Sequence, residues 1–432
     1  MAERDTIFAL SSGQLPAAIA VIRISGPRAL DAARAITTRD PPPARTAALR
    51  RFIDPRSGEV LDEALLIYFP GPHTETGEDV LELQCHGSKA VVRALEEVLG
   101  GLPGLRRAEP GEFTRRSFLN GKIDLAGIEG LGDLIAAETS MQRQAALAML
   151  GGGLSRLIAD WTKRLRRAAA QVEAQLDFSD EGDVVDSGAP DEVLRSVAMI
   201  EAEMAAELAK PSATRLKEGL RVAIGGPPNA GKSSLFNMLI GREGAIVSPH
   251  AGTTRDVIEA NVAFRGIPFI IADSAGLREA QEDVERIGIT RAEALLAQAD
   301  IMLWLGDPEA KPGTAAIAIQ VATKSDLPDI AIPAGAIAVS STTGTGFTAL
   351  VDRICSDASR LLPPVGEYAL SERQRSVLAR ARDALGELTW TNDEVLVGEG
   401  LRQVLAALDE LTGRSTTEAL LDELFSGFCI GK

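Results

Sequence analysis

Cysteine is scarce. Cys85, Cys355 and Cys429 are the only three, and no two stand at metal-ligand spacing, which excludes a thiolate metal cluster and points to a reducing compartment. Long apolar runs are missing too: none approaches the roughly 18 residues of a membrane-spanning helix. The opening MAERDTIFAL carries charges where a secretory leader needs its apolar stretch. A cytoplasmic protein without membrane association is the expectation. Positive charge is short as well, with 45 Lys and Arg against 61 Asp and Glu, a net charge of −16. That balance argues against a nucleic-acid surface covering the whole molecule, because phosphate contacts need cations. Local basic clusters exist at Arg106-Arg107, at Arg115-Arg116 with Lys122, and at Lys163-Arg164 with Arg166-Arg167. They read first as solvated helix faces. If nucleic acid is a substrate, a basic partner protein supplies part of the grip. Internal repeats and long low-complexity tracts are also lacking.

What is present begins with Gly226–Ser233, GPPNAGKS, which fits the phosphate-cradling pattern G-x-x-x-x-G-K-[ST]. The apolar run Leu220–Gly225 before it reads as a strand, and Ser234–Ile240 after it has helical spacing. Strand, glycine loop and helix together aim backbone N–H groups and a helix N-terminus at an anion. Lys232 reaches the β- and γ-phosphates, and the Ser233 hydroxyl holds magnesium.

At 432 residues the chain is long enough for several domains. Residues 1–120 read as mixed α/β, with strand-like Ala17–Ile24, Ala64–Phe69 and Asp79–Gln84 and a helix over Ser88–Leu99. Arg23 and Glu82 interrupt two of these strands; each either points to solvent or serves a pocket for a polar, carboxylate-bearing small molecule. From 121 to 217 the texture is helical, with patterns over Ile123–Leu150, Leu154–Phe178 and Asp191–Lys210. Strand and helix alternate again over 218–365, the doubly wound pattern, and 366–432 returns to helices. The expected architecture is multidomain α/β plus all-α: an N-terminal α/β domain, a discontinuous helical domain from 121–217 and 366–432, and a Ras-like P-loop domain inserted between its two parts.

Four more stretches name the base and the reaction. Gly252-Thr253-Thr254-Arg255-Asp256 stands where a first switch belongs, with Thr254 completing the magnesium shell. Asp273-Ser274-Ala275-Gly276 follows a strand and fits D-x-x-G, in which Asp273 holds magnesium through water and Gly276 senses the γ-phosphate. Thr323-Lys324-Ser325-Asp326 resembles the guanine-reading N-K-x-D, with Asp326 accepting guanine N1–H and N2–H₂. Thr323 in place of Asn keeps a hydroxyl and loses the amide's reach, so looser binding without a change of base is expected. Ser340-Ser341-Thr342 suits the loop behind guanine O6. Five motifs in this order, each after a strand, describe a GTPase.

Leu277 stands where many GTPases resembling Ras carry the Gln that orients the attacking water. An apolar side chain cannot position water. Glu285 is the candidate substitute, and a solvated carboxylate at a helix start is its plain alternative. Charge stabilisation comes either from a monovalent cation held by Asn229 and carbonyls of 248–253, or from Arg255 or Arg278.

GPPNAGKSSLFN, AGTTRD, DSAGLRE, VERIGI, LNGKIDLA at 119–126 and the final FCIGK resemble the MnmE (TrmE) family of tRNA modification GTPases over essentially the whole chain. The resemblance implies an N-terminal, dimerising domain that binds 5-formyl- or 5,10-methylene-tetrahydrofolate. It implies GTP hydrolysis driven by G-domain dimerisation with magnesium and potassium. It also implies work with the FAD-containing partner MnmG, as a heterotetramer on tRNA, placing an aminomethyl-type group on C5 of the wobble uridine. Carried over position by position, the nucleotide site takes in Asn229, Ala230, Gly231, Lys232, Ser233, Ser234, Ser248, Pro249, His250, Ala251, Gly252, Thr253 and Thr254. Asn229, Ser248, His250 and Thr253 match potassium-contacting positions, and Glu285 matches the water-orienting glutamate. Arg23, Glu82, Lys122 and Lys432 match folate contacts, and Cys429 lies in the terminal motif as either a nucleophile or a structural thiol. Ser274 for the commoner Thr and a shortened region around 307–319 are departures from the family pattern. The competing readings are a regulatory or ribosome-assembly GTPase, and a folate-binding scaffold that gates a partner.

Overall fold

The structure, a computed structural model, describes residues 5–37, 39–179, 191–241, 258–273, 296–312, 317–328, 330–388, 394–415, 417–428 and 430–431. These fall into two compact units, 1–128 with 412–432, and 129–411.

The first unit is built on a six-stranded sheet. Its elements are β1 (Thr6–Leu10), β2 (Ala17–Ser25), α1 (Ala29–Thr37), β3 (Ala48–Ile53), β4 (Val60–Phe69), β5 (Val80–Gly87), α2 (Lys89–Gly100) and β6 (Leu105–Arg107). The strand order is β3-β4-β5-β2-β1-β6, antiparallel throughout except for β1 beside β6. Alternation decides the two faces. Ile22, Ile24, Leu81 and Leu83 point into a core closed by Ala32, Ile36, Val92 and Leu95 of α1 and α2. The residues between them, Arg23 and Glu82, therefore share the opposite face, directly across from each other in the β2–β5 register.

Helices α3 (Glu112–Leu119) and α4 (Leu125–Ala136) follow, and the division between the units falls inside α4. The C-terminal helix Glu418–Ser426 joins this first unit: Leu421 and Phe425 pack on Leu125 and Ile128, with Phe118, Ile123 and Leu424 around them. Arg115 reaches Asp422 at 3.0 Å, and the Ser11 hydroxyl donates to the Gly431 carbonyl at 2.9 Å. The division between the units places 366–411 in the second and 412–432 in the first. The apolar face of the last helix is what draws it there.

Gly111 fixes how closely that helix approaches. Its φ is 68°, and an added Cβ would stand 2.4 Å from the Phe425 carbonyl oxygen. Gly111→Ala therefore costs about 2 kcal/mol or more, read as an earlier first transition in urea and faster proteolysis of the C-terminal helix.

The second unit comprises α5 (Ser140–Leu150), α6 (Gly153–Ser179), α7 (Asp191–Ala209), α8 (Ala213–Glu218), β7 (Leu220–Gly225), α9 (Lys232–Gly241), β8 (Ile258–Phe264), β9 (Ile267–Asp273), β10 (Ile301–Trp304), β11 (Ile317–Ala322), β12 (Ile337–Ala338), α10 (Phe347–Ala358), α11 (Glu372–Gly386) and α12 (Glu394–Thr412). The helical pattern expected over 123–150 breaks into α4 and α5. A capping box does this: the Thr139 hydroxyl accepts from Gln142 N–H while Gln142 returns to the Thr139 backbone. Trp161 of α6 is fully buried and donates its indole N–H to Glu203 of α7 at 2.7 Å.

The sheet of this unit has the order β12-β11-β10-β7-β9-β8, parallel except for β8. From β7 the chain goes to the edge strand β8 on one side and returns by β9, then crosses to the other side through β10, β11 and β12. Doubly wound sheets bind ligands outside the strand ends where the order reverses this way. Here that point is the C-terminal end of β7, which is Gly225.

Candidate functional site

The glycine loop starts at that reversal point. Gly226 has φ 148°, Asn229 φ 60° and Gly231 φ 91°, a run of turned residues that brings the chain into the first turn of α9. Lys232, the first residue of α9, is only 7% exposed. Its ammonium donates to the carbonyls of Gly226 and Pro227 at 3.0 and 2.9 Å. These bonds lay the cation across the loop whose N–H groups it complements.

Asp273 ends β9 and pairs in register with Ile224, one residue before the end of β7. That register brings its carboxylate to Ser233, whose hydroxyl donates to Asp273 Oδ2 at 2.8 Å. Two hard oxygen donors meet at the helix start, as magnesium chemistry requires.

The turn after β11 is bound to the glycine loop by two hydrogen bonds. Thr323 and Lys324 follow β11; the Thr323 hydroxyl donates to the Ala230 carbonyl, and Lys324 Nζ donates to the Asn229 carbonyl at 3.0 Å. Lys324 sits at φ 58°. Together these residues line a cleft of about 520 Å³ with Pro227, Leu305 and Pro333. Asp326 is exposed in the turn beyond. The Ser325 N–H donates to the Val339 carbonyl at 3.1 Å, which ties this turn to the loop bearing Ser340, Ser341 and Thr342. Ser340 is fully buried, and its hydroxyl accepts from the Thr343 N–H at 3.1 Å.

A second polar cluster lies in the first unit. Arg23 donates to Glu82 Oε1 through Nε and Nη2, at 3.3 and 3.1 Å, and to Glu75 Oε2 through Nη1 at 2.7 Å. The loop carrying Glu75 is held by Ser117, which donates to the Glu75 carbonyl, and by Asn120, which donates to the Thr76 carbonyl, both at 2.6 Å. Lys122 lies against Gly77 of the same loop. The structure thus gathers Arg23, Glu82 and Lys122 about one loop. It adds Glu75, which sequence reasoning missed: in a Gly- and Thr-rich loop no periodicity singles out one carboxylate.

Ser248, Pro249, His250, Ala251, Gly252, Thr253, Thr254, Arg255, Ser274, Ala275, Gly276, Leu277, Arg278, Glu285, Cys429 and Lys432 lie outside the described residues.

With this geometry in hand, family comparison decides the class. The model described as "GTP-binding protein TrmE N-terminus" matches residues 6–122, and that of the "MnmE helical domain" matches 125–429. The chain belongs to the MnmE family. It is similar to the tRNA modification GTPase MnmE of Erythrobacter litoralis, 51% identical over 430 residues that cover 99% of this chain and 100% of that protein. The Rhizorhabdus wittichii protein of the same name is 51% identical over 432 residues, covering 99% and 97%. The Zymomonas mobilis protein is 46% identical over 432 residues, covering 99% and 100%. Membership of the MnmE family makes this chain a GTP hydrolase acting in tRNA modification. Among the described residues no helix is long and apolar enough to cross a membrane.

Proposed function

We propose that this MnmE-family chain is a cytoplasmic, potassium-activated GTPase that works as a homodimer with the flavoprotein MnmG. Together they install a carboxymethylaminomethyl-type group at C5 of the wobble uridine, position 34, of certain tRNAs. The one-carbon unit comes from 5-formyl- or 5,10-methylene-tetrahydrofolate. The observation that carries the GTPase part is the clamp of Thr323 and Lys324 onto the glycine loop above a Ser233–Asp273 oxygen pair. In this reading the G domain, 218–365, is an insertion between helical segments 121–217 and 366–432.

Lys232 and the N–H groups of Asn229 to Ser234 hold the phosphates, and Asp326 reads guanine with the 340–342 loop behind it. Magnesium, when bound, would neutralise phosphate charge; Ser233, Thr254 and Asp273 are the residues that would hold it. Asn229, Ser248, His250 and Thr253 would hold a potassium ion, which would supply charge where other GTPases insert an arginine. Glu285 orients the attacking water.

The Arg23–Glu75–Glu82 cluster supports the folate part. A guanidinium held between two carboxylates suits a ring that presents donors and acceptors side by side, and Lys122 and Lys432 suit a carboxylate tail. On the same sheet face Ile19, Leu49 and Leu65 are 62%, 58% and 38% exposed, which supports a second copy as the cover. Cys429 is the candidate nucleophile of the uridine chemistry. Burial pushes the Cys85 thiol up to about 11 and raises that of Cys355 as well, so neither supplies a thiolate at neutral pH.

Turnover in potassium and in sodium at equal ionic strength tests the cation assignment. Phosphate release at least about tenfold faster in potassium is expected, the size of a modest electrostatic contribution. Equal rates move the charge-stabilising role to Arg255 or Arg278.

A further inference from the structure

Thr323 deepens the guanine reading and rests on it. Guanine offers two donors, N1–H and N2–H₂, with the acceptor O6 beside them on the Watson–Crick edge, and a further acceptor, N7, on the imidazole ring. Asp326 accounts for the donors and the 340–342 loop for O6. With N1–H and N2–H₂ on Asp326, N7 lies across the base from that carboxylate and turns toward the glycine loop in this reading. The wall on that side is made by Asn229, Ala230, Thr323 and Lys324.

A hydrogen bond to N7 needs a proton, and Thr323 has one to give. That proton goes to the Ala230 carbonyl. The contact is close-packed: a Cβ on Gly231 would meet Thr323 Oγ1 at 3.0 Å. What the hydroxyl retains is lone pairs, and N7 is itself an acceptor, so the two gain nothing from each other. The neighbouring Lys324 ammonium gives one of its three N–H groups to the Asn229 carbonyl at 3.0 Å, and a reading of N7 by the others would show as a GTP preference of the unchanged protein. An Asn amide at 323 has two N–H groups and serves the carbonyl and N7 together; a threonine must choose.

We propose that Thr323 spends its only proton on the glycine loop and leaves N7 unread, so this GTPase recognises guanine by its Watson–Crick edge alone. Thr323 is then a positioning residue that ties the base-reading turn to the phosphate loop. Nucleotides with a carbon at the N7 position belong to its substrate range.

The test is competition binding of GTP and 7-deaza-GTP to the full-length protein with magnesium and potassium. The unchanged protein binds the two within about twofold of each other. Thr323→Asn gains a second donor and prefers GTP by about fivefold, the size of one net hydrogen bond. Thr323→Val keeps the shape and loses the strap, weakening both nucleotides by the same factor of about five. An unchanged protein that prefers GTP by fivefold or more, or a valine variant that loses GTP affinity alone, overturns the proposal. Asp326→Asn, tested in parallel, separates the underlying reading: it lowers GTP affinity and raises that for xanthosine triphosphate. If Asp326→Asn changes neither, guanine is not read in this cleft and the proposal falls with that reading.

Discussion

Glu285→Ala lowers single-turnover GTP cleavage by about three orders of magnitude and leaves GTP affinity within about twofold. The reason starts at Leu277, the residue after Asp273-Ser274-Ala275-Gly276. A water molecule attacking the γ-phosphate must be oriented by a polar group, and an isobutyl side chain offers none. Glu285, eight residues on, is the carboxylate proposed for that duty. A group that only aligns the water touches neither base nor phosphates in the ground state, so its loss reaches turnover and spares binding. Phosphate release after mixing with excess enzyme, beside fluorescent-nucleotide titration, separates the two quantities. A variant with intact cleavage returns Glu285 to the role of a solvated surface carboxylate.

Lys232→Ala has the opposite signature. Its ammonium is nearly buried at the start of α9, held by the Gly226 and Pro227 carbonyls over the glycine loop proposed to take the phosphates. Removing it costs charge-assisted hydrogen bonds to the bound triphosphate, about 3 kcal/mol or roughly two orders of magnitude in affinity. It also leaves the two carbonyls without that donor, so the free protein becomes less stable as well. Isothermal titration reads the first effect and a urea midpoint the second. Affinity within about twofold of the unchanged protein would mean that the phosphates lie elsewhere.

The glycine loop was legible in the sequence because its chemistry is local. Gly226, Gly231 and the residues between them encode a backbone path few other residue sets permit, and Lys232 and Ser233 follow at fixed offsets. Arg23 and Glu82 were legible as strand charges, since alternation with Ile22, Ile24, Leu81 and Leu83 puts them on one face. Their pairing was not, because register depends on which strands neighbour each other. Glu75 stayed hidden in its loop for a related reason: it meets Arg23 only once Ser117 and Asn120 pin that loop.

The C-terminal helix shows where pattern runs out. Its apolar stripe declares that one face is buried, but the stripe does not name the partner, which proves to be α3 and α4 of the first unit. The break between α4 and α5 had a signal, Thr139 three residues before Gln142, that the apolar spacing across 123–150 obscured. Family membership, in turn, selects the tRNA-modification reading over a ribosome-assembly GTPase with a similar G domain.

The most direct measurement is the nucleoside composition of tRNA from cells that lack this protein. The C5 substituent of the wobble uridine is then missing, is restored by the intact chain, and is restored by neither Lys232→Ala nor Glu285→Ala. An unchanged nucleoside profile in the cells lacking the protein, or full restoration by both variants, contradicts a GTPase-driven role in that modification.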